Sequence, residues 1–153
     1  MQLVNTAEKE TPMQWSLLED FDPLVRYDTL DELGKLEPAT LAQHAVAVVA
    51  RLEDSVDEVR KQALKTLGKL EPTTLVQHAD AVLAMLEDCP VRYWALDTLS
   101  KLEPATLAQY AGALLTKLEA SDSRVRSAAL ETLARLEPAT LAEHANAVLA
   151  RLQ

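Results

Sequence analysis

Apolar and small residues recur along most of the chain at the spacing of one helix face. After Val59 they follow at the fourth, fifth, eighth and eleventh positions, as Ala63, Leu64, Leu67 and Leu70. A helix with 3.6 residues per turn brings these positions to one side. The same pattern opens with a Val-Arg pair in four places. It predicts four helices, termed B helices, over residues 22–35, 57–69, 90–101 and 123–135.

A second pattern alternates with the first. The phrase LEPATLAQHA spans residues 36–45 and returns with small changes, so that its prolines stand 34, 32 and 34 residues apart. Each copy predicts a second kind of helix, termed the A helix. The first runs from Pro38 to Leu52, and the later ones begin at Pro72, Pro104 and Pro138. Its predicted buried face consists of Leu41, Ala45, Val48 and Leu52.

The helix starts carry recognisable signals. Thr40 and Gln43 fit a capping box, in which Thr40 would be the N-cap. The alternative places Pro38 at the first helical position and moves the start by about two residues. The later copies have the same pairs: Thr74/Gln77, Thr106/Gln109 and Thr140/Glu143. Among the B helices, Asp22 and Asp122 are predicted N-caps. In the second copy, where Val56 takes that place, Ser55 or Asp57 must serve.

A period of about 34 residues, with one unit of 32, indicates a stacked-repeat protein. Because the loops are short, neighbouring helices must run antiparallel. We therefore expect an all-α solenoid of about nine helices in a right-handed superhelix. Residues 12–153 would form one repeat domain that opens with a short helix at 12–19, and residues 1–11 a polar N-terminal tail.

The A–B alternation, the turn LEDSVDEVR and the sequence AL-x-x-LG-x-L resemble HEAT repeats, especially the short variety of the phycobilisome lyases. The resemblance covers the chain from about Trp15 to Gln153. It implies that the A helices form the convex side, that the B helices line the concave side, and that turn acids bind arginines between successive repeats. The arginines would be Arg26, Arg60, Arg92 and Arg126, and the acids Asp22, Asp54, Asp88 and Asp122. Val56 and Ala120 depart from the family pattern, which implies local breaks in this ladder.

Composition and charge exclude several classes of partner. Hydrophobic residues make up 48% of the chain, which suits a packed fold. The net charge of −9 and the lack of a Lys/Arg run argue against nucleic-acid binding. Because no stretch of about 18 apolar residues and no signal peptide is found, we expect no membrane partner. Cys89 is the single cysteine, so no disulfide forms within the chain. An intracellular, cytoplasmic location is the expectation.

Two kinds of residue could carry chemistry. His44, His78 and His144 occupy one place in three A helices, and Tyr110 occupies it in the fourth. Stacked helices lie about 8–10 Å apart, so a row of equivalent histidines does not converge on one metal ion. We predict structural histidines, with no metal, cofactor or catalytic residue. Cys89, beside Pro90, is either a reactive thiol near a helix N-terminus or a small residue in place of serine.

The positions at which the B-helix copies disagree are the predicted partner-binding surface. They are Tyr27, Asp28, Asp31, Lys61, Gln62, Lys65, Tyr93, Trp94, Asp97 and Glu131. Aromatic side chains on a polar surface are frequent interface hot spots. Alternatively, Tyr93 and Trp94 repack around a turn that is two residues shorter, LEDCPVR against LEDSVDEVR.

The function expected from these observations is that of a non-enzymatic scaffold that binds a protein partner through its B-helix surface. One alternative is a HEAT-like enzyme that acts on a nucleobase or a bilin. Another is a fragment of a longer array, or a consensus-like sequence, that self-associates as a homodimer through an uncapped last helix. The residues at that end are Leu141, Ala145, Val148 and Leu152.

Overall fold

The computed structural model describes residues 15–152, apart from the side chains of Ala147, Val148, Arg151 and Leu152. The predicted polar tail at 1–11 and the first three residues of the predicted opening helix therefore lie outside the described residues. The part of the opening helix that is described, Trp15–Glu19, is a 3₁₀ helix with Leu18 buried. Within residues 15–152 the chain is all-α and forms nine helical segments, if each A helix is counted once.

The four predicted B helices are present. Each opens beside its Val-Arg pair and ends two residues before the predicted boundary. Their bounds are Pro23–Leu33, Asp57–Leu67, Arg92–Leu99 and Ser123–Leu133. The third is preceded by a 3₁₀ turn, Cys89–Val91, in the shortened connection. Each B helix contacts the next one along the chain, so the four lie side by side in sequence order.

The A helices are not continuous, contrary to the sequence prediction. Each breaks at the position of the recurrent histidine. The segments are Pro38–Ala42 and Ala45–Ala50, Pro72–Leu75 and Ala79–Ala84, Pro104–Leu107 and Ala111–Lys117, and Pro138–Glu143 and Ala145–Leu152. At the break His44 has φ −113° and ψ 7°, and its N–H donates to the carbonyl of Leu41, three residues back. This tighter turn bends the A helix and directs the side chain at the break toward the preceding repeat.

The A helices begin at proline, and the capping-box prediction is wrong. Glu37 is the N-cap, Pro38 is the first helical residue, and no side chain caps the start. The other three A helices begin in the same way. Proline favours this start because it has a preset φ and no N–H to satisfy, and because it holds the residue before it in an extended conformation.

The B-helix caps are confirmed in two copies and corrected in one. The carboxylates of Asp22 and Asp122 accept from the N–H groups two residues ahead, at Leu24 and Arg124. In the second copy neither Ser55 nor Asp57 caps the helix; Val56 holds the N-cap position. Asp54, two residues before Val56, accepts from the N–H of Val56 through its Oδ1 at 3.0 Å.

The core consists of the faces that the patterns predicted. Leu41, Ala45, Val48 and Leu52 of the first A helix are buried. Val59, Ala63, Leu64, Leu67 and Leu70 of the second B helix are buried as well. Both sets belong to one apolar cluster that runs from Leu18 to Leu136. The periodicity therefore identified the packed faces correctly even where the A helix is broken.

Threonine hydroxyls add hydrogen bonds between repeats that the sequence analysis did not identify. Thr66 Oγ1 donates to the carbonyl of Leu30 at 3.0 Å, and Thr98 Oγ1 donates to that of Leu64 at 3.0 Å. The fourth copy, Thr132, donates to Ala128 of its own helix instead. The signal was a threonine at the same place in three B helices. These bonds join the B helices near their C-terminal ends at each of the first two junctions.

Candidate partner-binding surface

The B-helix positions predicted to face a partner differ in exposure. Six are exposed, three are half-buried, and Gln62 is buried. The exposed ones are Asp28, Asp31, Lys65, Tyr93, Asp97 and Glu131, and the half-buried ones are Tyr27, Lys61 and Trp94. Tyr93, which is 66% exposed, is the one aromatic side chain of this set that stands clear of the protein.

The placement of Gln62 on the partner surface is wrong, since only 5% of this residue is exposed. Its equivalents are Asp28, Trp94 and Ala128. Asp28 is exposed because no B helix precedes the first one within residues 15–152, whereas Ala128 is buried and Trp94 half-buried. The position therefore faces the B helix of the preceding repeat, and in the interior of the stack it belongs to the junction.

Trp94 fills the same junction from the third repeat. Its ring lies 5.2 Å from Lys61 Nζ and 5.1 Å from Lys65 Nζ, both on the second B helix. Such distances are typical of cation–π contacts. The Tyr93 ring meets it edge-on at 5.1 Å. Trp94 therefore packs between repeats, against the second B helix, while Tyr93 remains exposed on the surface.

Tyr93 lies at the edge of an open depression of about 360 Å³ between the third and fourth B helices. Its walls include Cys89, Arg92, Arg124 and Glu131. Glu131 was predicted to lie on the partner surface. The two arginines were not, although Ala120, which stands where other copies have aspartate, marked this junction as different.

A second depression, of about 310 Å³ and mostly apolar, lies between the first two B helices. Tyr27 lines it together with Pro23, Leu24 and Val56. Tyr27 also packs against the core cluster, and Leu24 is 64% exposed. Tyr27 and Tyr93 therefore occupy equivalent positions in different surroundings, one apolar and one lined by charged groups.

The arginine ladder implied by the resemblance is formed at the first two junctions. Arg26 Nε donates to Asp54 Oδ2 at 2.7 Å, and its Nη2 donates to Oδ1 at 2.9 Å. Arg60 donates to Asp88 in the same way, at 2.6 and 3.4 Å. Two parallel bonds to one carboxylate are the strongest arrangement open to arginine. Val56 does not break the ladder, because the acid lies two residues before it.

Each Arg–Asp pair is one rung of the ladder, and in the first rung Arg26 and Asp54 shift each other's pKa. Burial alone would raise the pKa of Asp54, but the hydrogen bonds from Arg26 and from the Val56 N–H outweigh it and lower that pKa below the ordinary value of 3.8. The Asp54 carboxylate in turn raises the pKa of Arg26. Asp54 is therefore ionised throughout the neutral range and holds Arg26 across the junction.

The ladder is open at the third junction. The position 28 residues after Arg92 holds Ala120, and Asp122, which the resemblance also implied as a ladder acid, forms a longer ion pair, with its Oδ2 3.8 Å from Arg92 Nη2. Arg92 Nε donates instead to the carbonyl of Leu86 at 2.6 Å. Arg126, the last arginine of the series, donates to the carbonyls of Ala120 and Ser121. Asp22, also predicted as a ladder acid, serves as a helix cap.

Two members of the histidine row, His44 and Tyr110, contact the segment that precedes their own repeat. The ring of His44 lies 5.4 Å from that of Trp15. Tyr110, at the equivalent place, donates from Oη to the carbonyl of Val76 at 3.2 Å. Among the residues that the structure describes, no group of three His, Cys, Asp or Glu side chains is placed to hold a metal ion.

Cys89 is an exposed free thiol in the shortened turn. Arg124 Nη1 donates to its sulfur at 2.9 Å. Arg124 also donates to Asp122, and this contact, followed by the Cys89 contact, raises the pKa of Arg124. Cys89 therefore contributes to the wall of the charged depression.

The proposed self-association end is described in part. Leu141 is half-buried and Ala145 is exposed, while the side chains of Val148 and Leu152 lie outside the described set. On the same last helix Leu149 is 56% exposed. Homodimer formation through this end stays a prediction.

Of the helices that the structure describes, none combines the length and the apolar character needed to cross a bilayer. No family model and no curated protein matches the chain. Among solved structures, the chain is similar to the crystal structure of an engineered protein, with a TM-score of 0.61 and 18% sequence identity. The likeness covers 88% of this chain and 66% of that one. At this identity it supports an all-α, repeat-like fold and nothing about function.

Proposed function

We propose that this chain is a HEAT-like solenoid that acts as a non-enzymatic scaffold and binds a protein partner on its B-helix surface. The observation that carries the proposal is Tyr93, an exposed tyrosine at the rim of a depression lined by arginine and glutamate side chains. Tyrosine and arginine together are the residues most enriched in binding hot spots. The HEAT-like assignment is supported by the paired Arg–Asp contacts between repeats.

The proposal places the contact surface around the third and fourth B helices. Its members are Arg92, Tyr93, Arg124, Ser127 and Glu131. Trp94 and Lys61 lie beneath this surface. The Trp94 ring packs edge-on against Tyr93 and contacts Lys61 of the second B helix. Gln62 has no place on it, since it is buried and, unlike Arg92, does not line the depression. Alanine at Trp94 or Tyr27 would disturb packing as well as binding, so these residues are poor tests.

The direct test is Tyr93→Ala with Phe21→Ala as the matched control. Phe21 is 99% exposed in the turn before the first B helix, so the control removes an exposed ring elsewhere. Each immobilised variant is incubated with lysate of the native cells, and the retained proteins are quantified by mass spectrometry. We expect at least one protein retained by the parent and Phe21→Ala chains and lost with Tyr93→Ala. Indistinguishable profiles would reject the proposal.

A further inference from the structure

We propose that the open third rung is a binding slot for a carboxylate side chain, an aspartate or glutamate in an acidic segment of the protein partner. The groups that would receive it are Arg92 and Arg124. This inference rests on the proposed function and names the chemistry of the partner at that surface.

The first two junctions show what the arginine at this position binds. Arg26 and Arg60 each bind one aspartate of the next repeat, 28 residues further along the chain. At the third junction the corresponding side chain is the methyl group of Ala120. The repeat therefore keeps the arginine and lacks the aspartate, and Arg92 donates its Nε to the carbonyl of Leu86 instead. A carboxylate from outside the chain would have the same chemistry as the missing one.

Arg92 is left with unused bonding capacity. It is only 8% exposed, and its Nη2 is buried without a hydrogen bond to any described group, because the Asp122 carboxylate with which it forms an ion pair lies 3.8 Å away. Both oxygens of Asp122 are taken by Arg124, through its backbone N–H, Nε and Nη2. A buried donor of a charged group without a hydrogen-bond acceptor is costly, and a ligand that supplies an acceptor recovers that cost.

The slot opens into the depression between the third and fourth B helices, which both Arg92 and Arg124 line. Arg124 is 65% exposed over its side chain and donates Nη1 to the sulfur of Cys89. A thiol is a weak acceptor, so a carboxylate would replace it favourably. Glu131 on the same wall disfavours a doubly charged phosphate more than a singly charged carboxylate.

The net charge of −9 shapes how such a partner would approach. Long-range repulsion slows the encounter with an acidic segment, and salt screens it. Recognition must therefore come from short-range contacts with the two arginines and Tyr93. This distinguishes the slot from a surface that attracts anions in general.

The test is an NMR titration of the full ¹⁵N-labelled chain, followed at the side-chain Nε–Hε signals of Arg92 and Arg124. The probe is the blocked tetrapeptide Gly-Asp-Glu-Gly, with Gly-Asn-Gln-Gly as the uncharged control. We expect saturable shifts of both arginine signals with the acidic peptide and none with the amide peptide. No shift with the acidic peptide would overturn the proposal.

Variants separate the slot from general electrostatics. Ala120→Asp places the missing carboxylate within the chain, and we expect it to weaken the peptide at least tenfold, whereas the neutral Ala120→Asn leaves the affinity within about twofold. Arg124→Gln, on the exposed side, should weaken it at least fivefold, and it tests the slot even if Ala120→Asp fails to fold. Equal affinity in the parent chain and Arg124→Gln would contradict the proposal.

Two further titrations decide the source of the anion. If acetate or inorganic phosphate binds more tightly than the tetrapeptide, the slot takes a free anion, and the assignment to a protein partner is overturned. The scaffold function fails separately, if Tyr93→Ala retains every captured protein. In that case the Arg92 slot would still be tested by its own NMR signals.

Discussion

The first and third junctions of this chain have an arginine at the equivalent position, Arg26 and Arg92, but these two arginines have different partners. At the first, Arg26 binds both oxygens of Asp54, and Thr66 donates to the carbonyl of Leu30. At the third, Ala120 stands at the position of Asp54, and the equivalent threonine, Thr132, bonds within its own helix. Apolar packing is present at both. The comparison separates what stacks the repeats, which is the apolar face, from what locks the first junction, which is the set of polar bonds that the third junction lacks.

The largest expected effect comes from breaking the closed rung. Asp54→Asn should lower the free energy of unfolding by about 2–3 kcal/mol, because it leaves Arg26 buried opposite a neutral group. Urea denaturation followed by circular dichroism measures it. Asp20→Asn is the control: Asp20 has the same place in its turn, but no arginine of a preceding repeat reaches it. A loss of under about 0.5 kcal/mol in Asp54→Asn would show that the rung adds nothing to packing.

The same rung should make the parent chain acid-sensitive. The folded-state pKa of Asp54 lies below its ordinary value of 3.8, so its stabilisation is complete above that value and is lost as the pH falls through the folded pKa. The difference in unfolding free energy between the parent chain and Asp54→Asn should therefore shrink below about pH 4. Urea titrations from pH 6 to pH 2 measure it. A difference that stays constant over this range would contradict the assignment.

Closing the open rung should have a smaller effect of opposite sign. Ala120→Asp should raise the unfolding free energy by about 1 kcal/mol, because it supplies Arg92 with the acceptor that its Nη2 lacks. Ala120→Asn offers the same shape without charge and should give less than half of the gain. If Ala120→Asp destabilises the chain, the shorter turn before Arg92 has moved the guanidinium out of reach.

The smallest effect concerns the close approach of the B helices at the first junction. Gly34 has φ −66°, and an added Cβ would lie 3.6 Å from Thr66 Oγ1, an ordinary contact. Gly34→Ala should therefore stabilise by about 0.5 kcal/mol by restricting the unfolded chain. Thermal unfolding measures it, and the later copies already hold Ser100 and Ala134 at this place. A loss of stability would mean that the junction needs glycine.

The sequence predicted the helical segments and their buried faces because the apolar residues of each face belong to one helix and follow its period. Leu41, Val48 and Leu64 could be identified from the 3.6-residue period alone. The break of the A helices was missed, since the residues at the break, such as His44, have no strong breaker character. The capping box was wrong because the helix begins at Pro38, which places Thr40 inside the first turn and not at the N-cap.

The candidate site was predicted only in part. Tyr93 and Glu131 were identified because the copies disagree there, and disagreement marks positions free of local packing constraints. Gln62 disagrees as well, yet it is buried, because its position contacts the preceding B helix. Arg92 and Arg124, which line the depression beside Tyr93, were not on the predicted surface, since Arg92 was assigned to the ladder and Arg124 was not singled out.

By itself, the sequence determined the repeat length, the alternation of two helix types and the residues of the core, because these depend on spacing along one helix. Only the tertiary structure decided which charged groups meet, because each rung joins residues 28 positions apart across a junction. It also decided that both Arg26 and Arg92 are buried, and that Arg26 has a carboxylate acceptor in Asp54 whereas Arg92 Nη2 has no hydrogen bond. Exposure of a B-helix side chain depends on the helix stacked beside it, and no local pattern records that neighbour.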